Sequence, residues 1–121
     1  MDELVEWRRG MMADDHLEKE LPLTETHFLV MLTMVQPNHG YNVMQEVEAM
    51  TKGRIVFGPG TLYGAINNLS KKGWIEMVEQ DLVNRRKIYQ TTPIGRKLLD
   101  LELDRMSQLI AASQNYLAEG E

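Results

Sequence analysis

The chain changes its hydrophobic period twice, and that order constrains its fold more than any other feature. From Thr24 to Lys72 apolar residues recur at helical spacing, from Trp74 to Thr91 they alternate, and from Pro93 onward helical spacing returns. A period of about 3.6 residues and a period of 2 cannot share one element, so each change is a boundary. Thr24 is a fair N-cap. Phe28, Leu29, Met31, Leu32 and Val35 give the first of these helices a broad apolar face, and it must stop before Pro37. Asn38-His39-Gly40 reads as a turn, with His39 holding it before Tyr41. A second helix over Tyr41–Thr51 rests on Val43, Met44, Val47 and Met50, and Lys52-Gly53 closes it. Arg54 to Gly58 is extended or loop. A third helix opens at Pro59 or Gly60, runs to about Lys72 and is capped by Gly73. Trp74–Glu79 and Arg86–Thr91 read as hairpin strands around a turn over 80–85. Thr92-Pro93 then starts a helix, with threonine as N-cap and proline in the first helical position. It should run to about Leu117.

This order is mainly α with a small β-hairpin. Three helices followed by a hairpin form a winged helix-turn-helix, whose second and third helices are the helix-turn-helix proper. The expected organisation is a helical N-terminal extension over 1–20, a winged helix-turn-helix over 21–91 and a C-terminal dimerisation helix over 92–121. Residues 3–19 are a charged helix weakened by Gly10 and interrupted by Pro22. With 121 residues the chain can build one domain with a real core.

Charge is distributed unevenly. The net charge is −5, yet residues 52–97 hold nine Lys and Arg against three carboxylates, a local excess of +6. The remaining four cations and fifteen carboxylates leave −11. A basic tract inside an acidic protein is an electrostatic footprint for phosphate. The tract contains the third helix. Its core side is Leu62, Ala65, Ile66 and Leu69. Its opposite side carries Gly60, Gly64, Asn67 and Lys71, flanked by Tyr63 and Asn68, with Lys72 at the end and no carboxylate, and Thr61, Tyr63, Asn67, Asn68 and Lys71 would sit in a major groove or on its flanking phosphates. Hydroxyls, amides and an ammonium can reach base edges or phosphates. The glycines let the helix backbone approach another surface. Arg85-Arg86-Lys87, at the hairpin tip or the entry to its second strand, would contact a nucleic-acid backbone or place an arginine in a minor groove. Asp81 nearby is a counter-signal. Solvated surface residues would give the same pattern piece by piece; their combination in one basic tract favours DNA.

These residues together resemble the PadR family of bacterial transcriptional regulators. The match rests on His39-Gly40-Tyr41, Gly58-Pro59-Gly60-Thr61-Leu62-Tyr63, Leu69, Gly73-Trp74-Ile75, Arg85-Arg86-Lys87-Ile88-Tyr89 and Thr92 with Gly95-Arg96, and it covers about residues 20–115. The resemblance implies a dimeric winged-helix DNA-binding protein, usually a repressor. Its recognition helix would be Gly60–Lys72 and its wing Glu79–Tyr89, with Tyr41 and Tyr63 near the DNA backbone. A single C-terminal helix places it with the small subfamily. Trp74 and Thr91 stand where the family usually has aliphatic residues, and the acidic N-terminal segment is longer than in many members.

In the last helix Leu99, Leu103, Met106, Ile110, Ser113 and Leu117 are spaced 4, 3, 4, 3, 4, a heptad seam. Packing on its own domain would give the same stripe. Roughly 25 residues at about 1.5 Å each is longer than the small domain it leaves. Leu98, Leu101, Leu109 and Tyr116 add a second apolar flank, so a homodimer is expected. Nine methionines, Met31, Met34, Met44, Met50 and Met106 among them, read first as core filling. Within the resemblance they leave room for an aromatic or hydrophobic effector at the dimer interface. The last helix lacks the tryptophan that would stack such a ligand, and Trp7 could replace it only by reaching that site.

Other chemistry is disfavoured. There is no cysteine, no His-x-x-x-His pair and no nucleophile beside a base. Gly58-Pro59-Gly60 lacks the lysine and hydroxyl residue of a phosphate loop. No metal, cofactor or enzymatic activity is expected. No apolar run is long enough for a membrane, and the N-terminus has no signal-type apolar core, so a cytoplasmic protein is expected. The reading is a homodimeric repressor on double-stranded operator DNA. The rival is a winged-helix module that binds a protein through its acidic remainder or Met-rich surface.

Overall fold

Thr24 sets the first boundary: its hydroxyl accepts the His27 N–H at 3.1 Å, which caps a helix start. The computed structural model describes residues 15–119. Its elements are α1 Asp15–Glu18, α2 Glu25–Thr33, α3 Gly40–Met50, α4 Pro59–Lys71, β1 Ile75–Asp81, β2 Arg86–Thr91 and α5 Pro93–Glu119. Three helices, a hairpin and a long helix therefore follow one another as the periodicity requires. Most of the helix expected over 3–19 lies outside the described residues. The chain divides into two compact units, one Thr24–Leu99, the other the chain up to Leu23 with Asp100 onward. The first unit takes in the opening turns of α5, beyond the boundary expected at residue 91.

Within Thr24–Leu99, α2 is the central element and contacts α3, α4 and β2. Val30, Met31 and Met34 are fully buried, whereas Leu32 and Val35 are only half-buried. The face expected from spacing was thus rotated, because a helix covered on several sides has no single apolar stripe. Val43 and Val47 of α3, the expected four residues of α4, and Leu98 and Leu99 of α5 complete the core. The seam expected on α5 must be corrected here. Leu99 is 2% exposed and belongs to the chain's own core, so it cannot serve as a contact to a second copy. Leu98 and Leu101 of the second flank are buried in the same way.

The hairpin is wider than expected. Gln80 pairs with Lys87 and Asp81 with Arg86, so β1 extends past Glu79 and the turn shrinks to four residues. The register shifts between Met77 and Glu79, leaving Val78 as a bulge that adds local twist. Trp74 precedes the strand and is buried. Lys72 Nζ lies 4.7 Å from the centre of its ring. β2 also has a partner on its other side: Asn38 N–H donates to Tyr89 O at 2.9 Å, and Tyr89 N–H to Asn38 O at 2.8 Å. Thr91 N–H donates to Met34 O, and its hydroxyl to Met31 O, both at 2.7 Å. A hydroxyl at this site satisfies the end of α2, which an aliphatic residue could not do.

Gly73 closes α4 with φ 75, while Gly73 N–H reaches Ser70 O and Trp74 N–H reaches Leu69 O. Thr92 then crosses this point: its hydroxyl donates to Gly73 O at 2.7 Å and accepts Gly95 N–H at 3.2 Å. In the other unit the buried Glu102 carboxylate accepts Leu23 N–H at 2.6 Å and pairs with Arg105.

The crossing at Gly95 is tight. A Cβ there would stand 2.2 Å from the Trp74 carbonyl oxygen. Backbone atoms cannot swing aside as a side chain can. Gly95→Ala is therefore expected to destabilise the fold by at least about 2 kcal/mol despite alanine's better helix propensity. Urea denaturation of the two proteins measures the difference.

Candidate nucleic-acid interface

The site is built on how α4 begins. Gly58 is its N-cap and offers no side-chain hydrogen bond, Pro59 follows, and the first turn holds no acidic residue. Its N-terminal amides thus remain available to an anion. Leu62, Ala65, Ile66 and Leu69 anchor the inner side. Gly60, Thr61, Tyr63, Gly64, Asn67, Asn68 and Lys71 all lie exposed on the outer side.

α3 and the wing bring the remaining groups. His39 caps α3 by accepting Asn42 N–H on Nδ1 at 3.3 Å, which places Tyr41 in the exposed first turn. A Cβ on Gly40 would stand 3.0 Å from the Tyr63 hydroxyl oxygen. That glycine lets the Tyr63 ring lie over the start of α3. The Asn38–Tyr89 pairing draws β2 to the same place. The result is a cleft of about 370 Å³ lined by His39, Gly40, Tyr41, Tyr63, Ile66, Asn67, Arg85, Arg86, Lys87 and Tyr89, without one carboxylate.

Of the twelve residues expected to meet DNA, Tyr41, Tyr63, Asn67, Arg85, Arg86 and Lys87 converge on this cleft. Gly60, Thr61, Gly64, Asn68 and Lys71 are exposed on α4 outside it. Lys72 is turned to the Trp74 ring. His39 and Tyr89 join the cleft, and no spacing rule pointed to them; the bridge that carries them there pairs Asn38 with Tyr89, 51 positions apart.

Electrostatics sharpen the picture. The acidic residues of the wing sit on the outer strand β1, and its cations on β2 and the turn before it. Asp81, the counter-signal, is spent within the turn. Its Oδ1 accepts Val83 N–H and Asn84 N–H, each at 3.1 Å, and its Oδ2 accepts the Asn84 amide at 2.8 Å. The Asn84 side chain above all, then its backbone N–H, holds this carboxyl below the usual carboxylate range. His39 titrates below its ordinary value because of burial and then Arg86, whose Nη1 is 3.4 Å from Nε2. With Nδ1 an acceptor, the ring proton sits on Nε2, so Arg86 is a charged neighbour and not a hydrogen-bond partner. His27 is lowered likewise, by burial first and then by Lys72.

Residues 28–101, more than half of the chain, match the transcriptional regulator PadR-like family. The chain belongs to that family. PadR-like proteins are transcriptional regulators and not enzymes. A transcriptional regulator from Clostridium thermocellum superposes with a TM-score of 0.66 at 19% identity, over 85% of this chain and 95% of that one. A PadR family regulator from Clostridium difficile gives 0.61 at 20% identity, over 76% and 97%. Another from Eggerthella lenta gives 0.61 at 19%, over 98% of both chains. These likenesses establish a shared fold. In sequence, 73 residues are 36% identical to an uncharacterized 37.1 kDa protein from a Streptomyces fradiae transposon. That match takes in 60% of this PadR-like chain but only 20% of the relative's length. Among the described residues there is no cluster fit to hold a metal ion and no helix long and apolar enough to cross a membrane.

The two lowered histidines set a pH dependence. Each has an unfolded value near 6.5 and a lower folded one, so between the two the unfolded chain binds more protons. Their contribution to stability is whole above pH 6.5 and is lost as pH falls through the folded values. Unfolding free energy should thus decline on mild acidification. A double variant, His27→Gln with His39→Asn, should flatten that slope, since asparagine still caps α3 without titrating. Urea titrations at several pH values make the comparison.

Proposed function

We propose that this PadR-like regulator is a sequence-specific, homodimeric DNA-binding repressor acting in the cytoplasm. The observation that carries the reading is the cleft: two tyrosines and an asparagine of the helix-turn-helix face three wing cations with no carboxylate among them. α4 enters the major groove. Thr61, Tyr63, Asn67, Asn68 and Lys71 reach base edges or flanking phosphates. Arg85, Arg86 and Lys87 hold the wing to the backbone. A Cβ on Gly60 or Gly64 would meet nothing within 4 Å, so the fold does not require glycine at either position. Close approach of a DNA surface supplies the reason.

The dimer is part of the same proposal. Leu103, Leu109, Ile110, Tyr116 and Leu117 remain exposed on α5. With Met106 and Ser113 they form the seam for a second copy, starting at Leu103. Burying such a side chain fully contributes about 1.5–3 kcal/mol. Two copies related by a two-fold axis present two recognition helices about one helical turn apart. An aromatic or hydrophobic effector held between the copies would release the operator. A thermal-shift panel of planar cations and aromatic acids in which nothing moves Tm removes that part of the reading.

Gly64→Ala provides a test with opposite signs. It should stabilise the fold by about 0.5–1 kcal/mol, because alanine suits a helix better. It should also weaken DNA binding, because the added methyl stands between α4 and the groove. Lys71→Ala and Arg86→Ala should each lower affinity and reduce the log–log salt slope by about one unit. Gel-shift titrations at several salt concentrations, on duplexes selected from a random library, read all three. Selection of no duplex, with capture by heparin also absent, would leave the protein-binding rival. Ile110→Asp should yield monomers in sedimentation and halve the selected site.

A further inference from the structure

The tip of the wing carries the wrong residues for a merely solvated turn. Short hairpin turns favour Gly, Asn, Asp and Ser. This turn begins Leu82-Val83, and these residues are 77% and 91% exposed. Nothing in the turn needs them to be apolar. Its geometry is held by Asp81 and Asn84, through three hydrogen bonds, and by Arg85 at φ 56. Two large aliphatic groups are thus held out in water on a pinned loop.

Immediately behind them stand the cations. The last ribbon pair is Asp81 with Arg86, so Leu82 stands level with Arg85 in the turn and Val83 lies farther out than Arg85, Arg86 and Lys87. Those three cations face the same cleft as Tyr63 and Asn67 of α4. Leu82 and Val83 are the first two residues of the turn that closes the ribbon, so they form its outer end. With the cations on phosphates beside the recognition helix, the tip passes over the phosphate ridge. What lies there is the neighbouring minor groove, about 6 Å wide and 7.5 Å deep, with sugar walls that accept apolar groups.

We infer that Leu82 and Val83 form an apolar wedge that enters the minor groove flanking the site read by α4 and partly unstacks one base step. The inference rests on the DNA-binding reading above and adds a determinant of specificity to it. Aliphatic side chains make no hydrogen bond to a base edge. They read how readily a step opens, and pyrimidine–purine steps such as TA and CA open most readily. The wedge therefore selects such a step at a fixed distance from the major-groove site. The Val78 bulge supplies extra twist to the ribbon that carries it.

The test uses the full chain, with Leu82→Ser/Val83→Ser, Leu82→Met/Val83→Ile and Arg86→Ala beside the wild type. Each protein selects duplexes from a random library. The selected duplex is then labelled with 2-aminopurine at the flanking step. The wild type should enrich TA or CA there and raise the fluorescence on binding. The serine variant should lose both, with a roughly tenfold weaker preference for the flexible step. The Met/Ile variant should keep them, and Arg86→Ala should bind all sequences more weakly while keeping the preference. A serine variant that retains enrichment and fluorescence overturns the wedge and leaves DNA binding intact. Loss of self-association in the serine variant assigns the tip to a protein contact and overturns it too. A wild type that selects no duplex defeats the underlying reading, and the wedge with it.

Discussion

Everything at the candidate interface depends on one pairing, the two backbone hydrogen bonds between Asn38 and Tyr89. A two-stranded ribbon is marginal alone. Here its second strand is gripped from the far side by the segment that leads into α3. The side chain of Asn38 reinforces the grip: it donates to Thr33 O at 2.8 Å and accepts His39 N–H and the Asn42 amide, each at 2.9 Å. One buried asparagine thus ends α2, starts α3 and docks the wing. Because its partners are satisfied, its burial imposes little penalty, whereas losing them would strand several polar groups. The placement of the wing cations beside α4 is a consequence of this junction.

The charge distribution makes sense only once that junction is in place. A chain of net −5 is a poor candidate for a polyanion if its charges are averaged. Folding separates them instead. The bridge makes β2 the inner strand of the ribbon, and β2 carries Arg86 and Lys87, while Glu76 and Glu79 lie on the outer strand. Asp81 is consumed by its own turn. A local field, not the total, decides what meets the cleft, since exposed charges farther away than about 8–10 Å are largely screened in physiological salt.

Much of this was legible in the sequence, for identifiable reasons. Thr24, Gly73 and Thr92-Pro93 act through bonds to residues a few positions away, so spacing alone revealed the elements they bound. The inner side of α4 obeyed its period because it is buried on one side only. Local rules failed where long-range contacts decide. The buried arc of α2 runs on to Met34 at its C-cap, because the helix is covered by α3, α4 and β2, and Thr91, sixty residues after Met31, holds its end. Leu99 belonged to the heptad pattern yet lies inside the first unit, because the core claims the first turns of α5 before any seam can begin. Tyr89 and His39 entered the cleft through a bridge that no periodicity encodes.

The glycines separate what the fold demands from what another surface demands. Gly95 is required by a carbonyl 2.2 Å from where its Cβ would stand, whereas at Gly40 a Cβ would press at 3.0 Å on Tyr63, a side chain that can shift by a few tenths of an ångström. Gly73 is required by its left-handed backbone. Gly60 and Gly64 meet none of these conditions, since their Cβ positions open on solvent and alanine would suit the helix better. A sequence that forgoes stability at two positions on one exposed helix face needs a cause outside the monomer. In the proposed function that cause is a surface that comes close to the α4 backbone, tolerates hydroxyls, amides and an ammonium, and attracts the cations beside them. Duplex DNA meets all three conditions, whereas an acidic protein surface meets only the last without further shape complementarity.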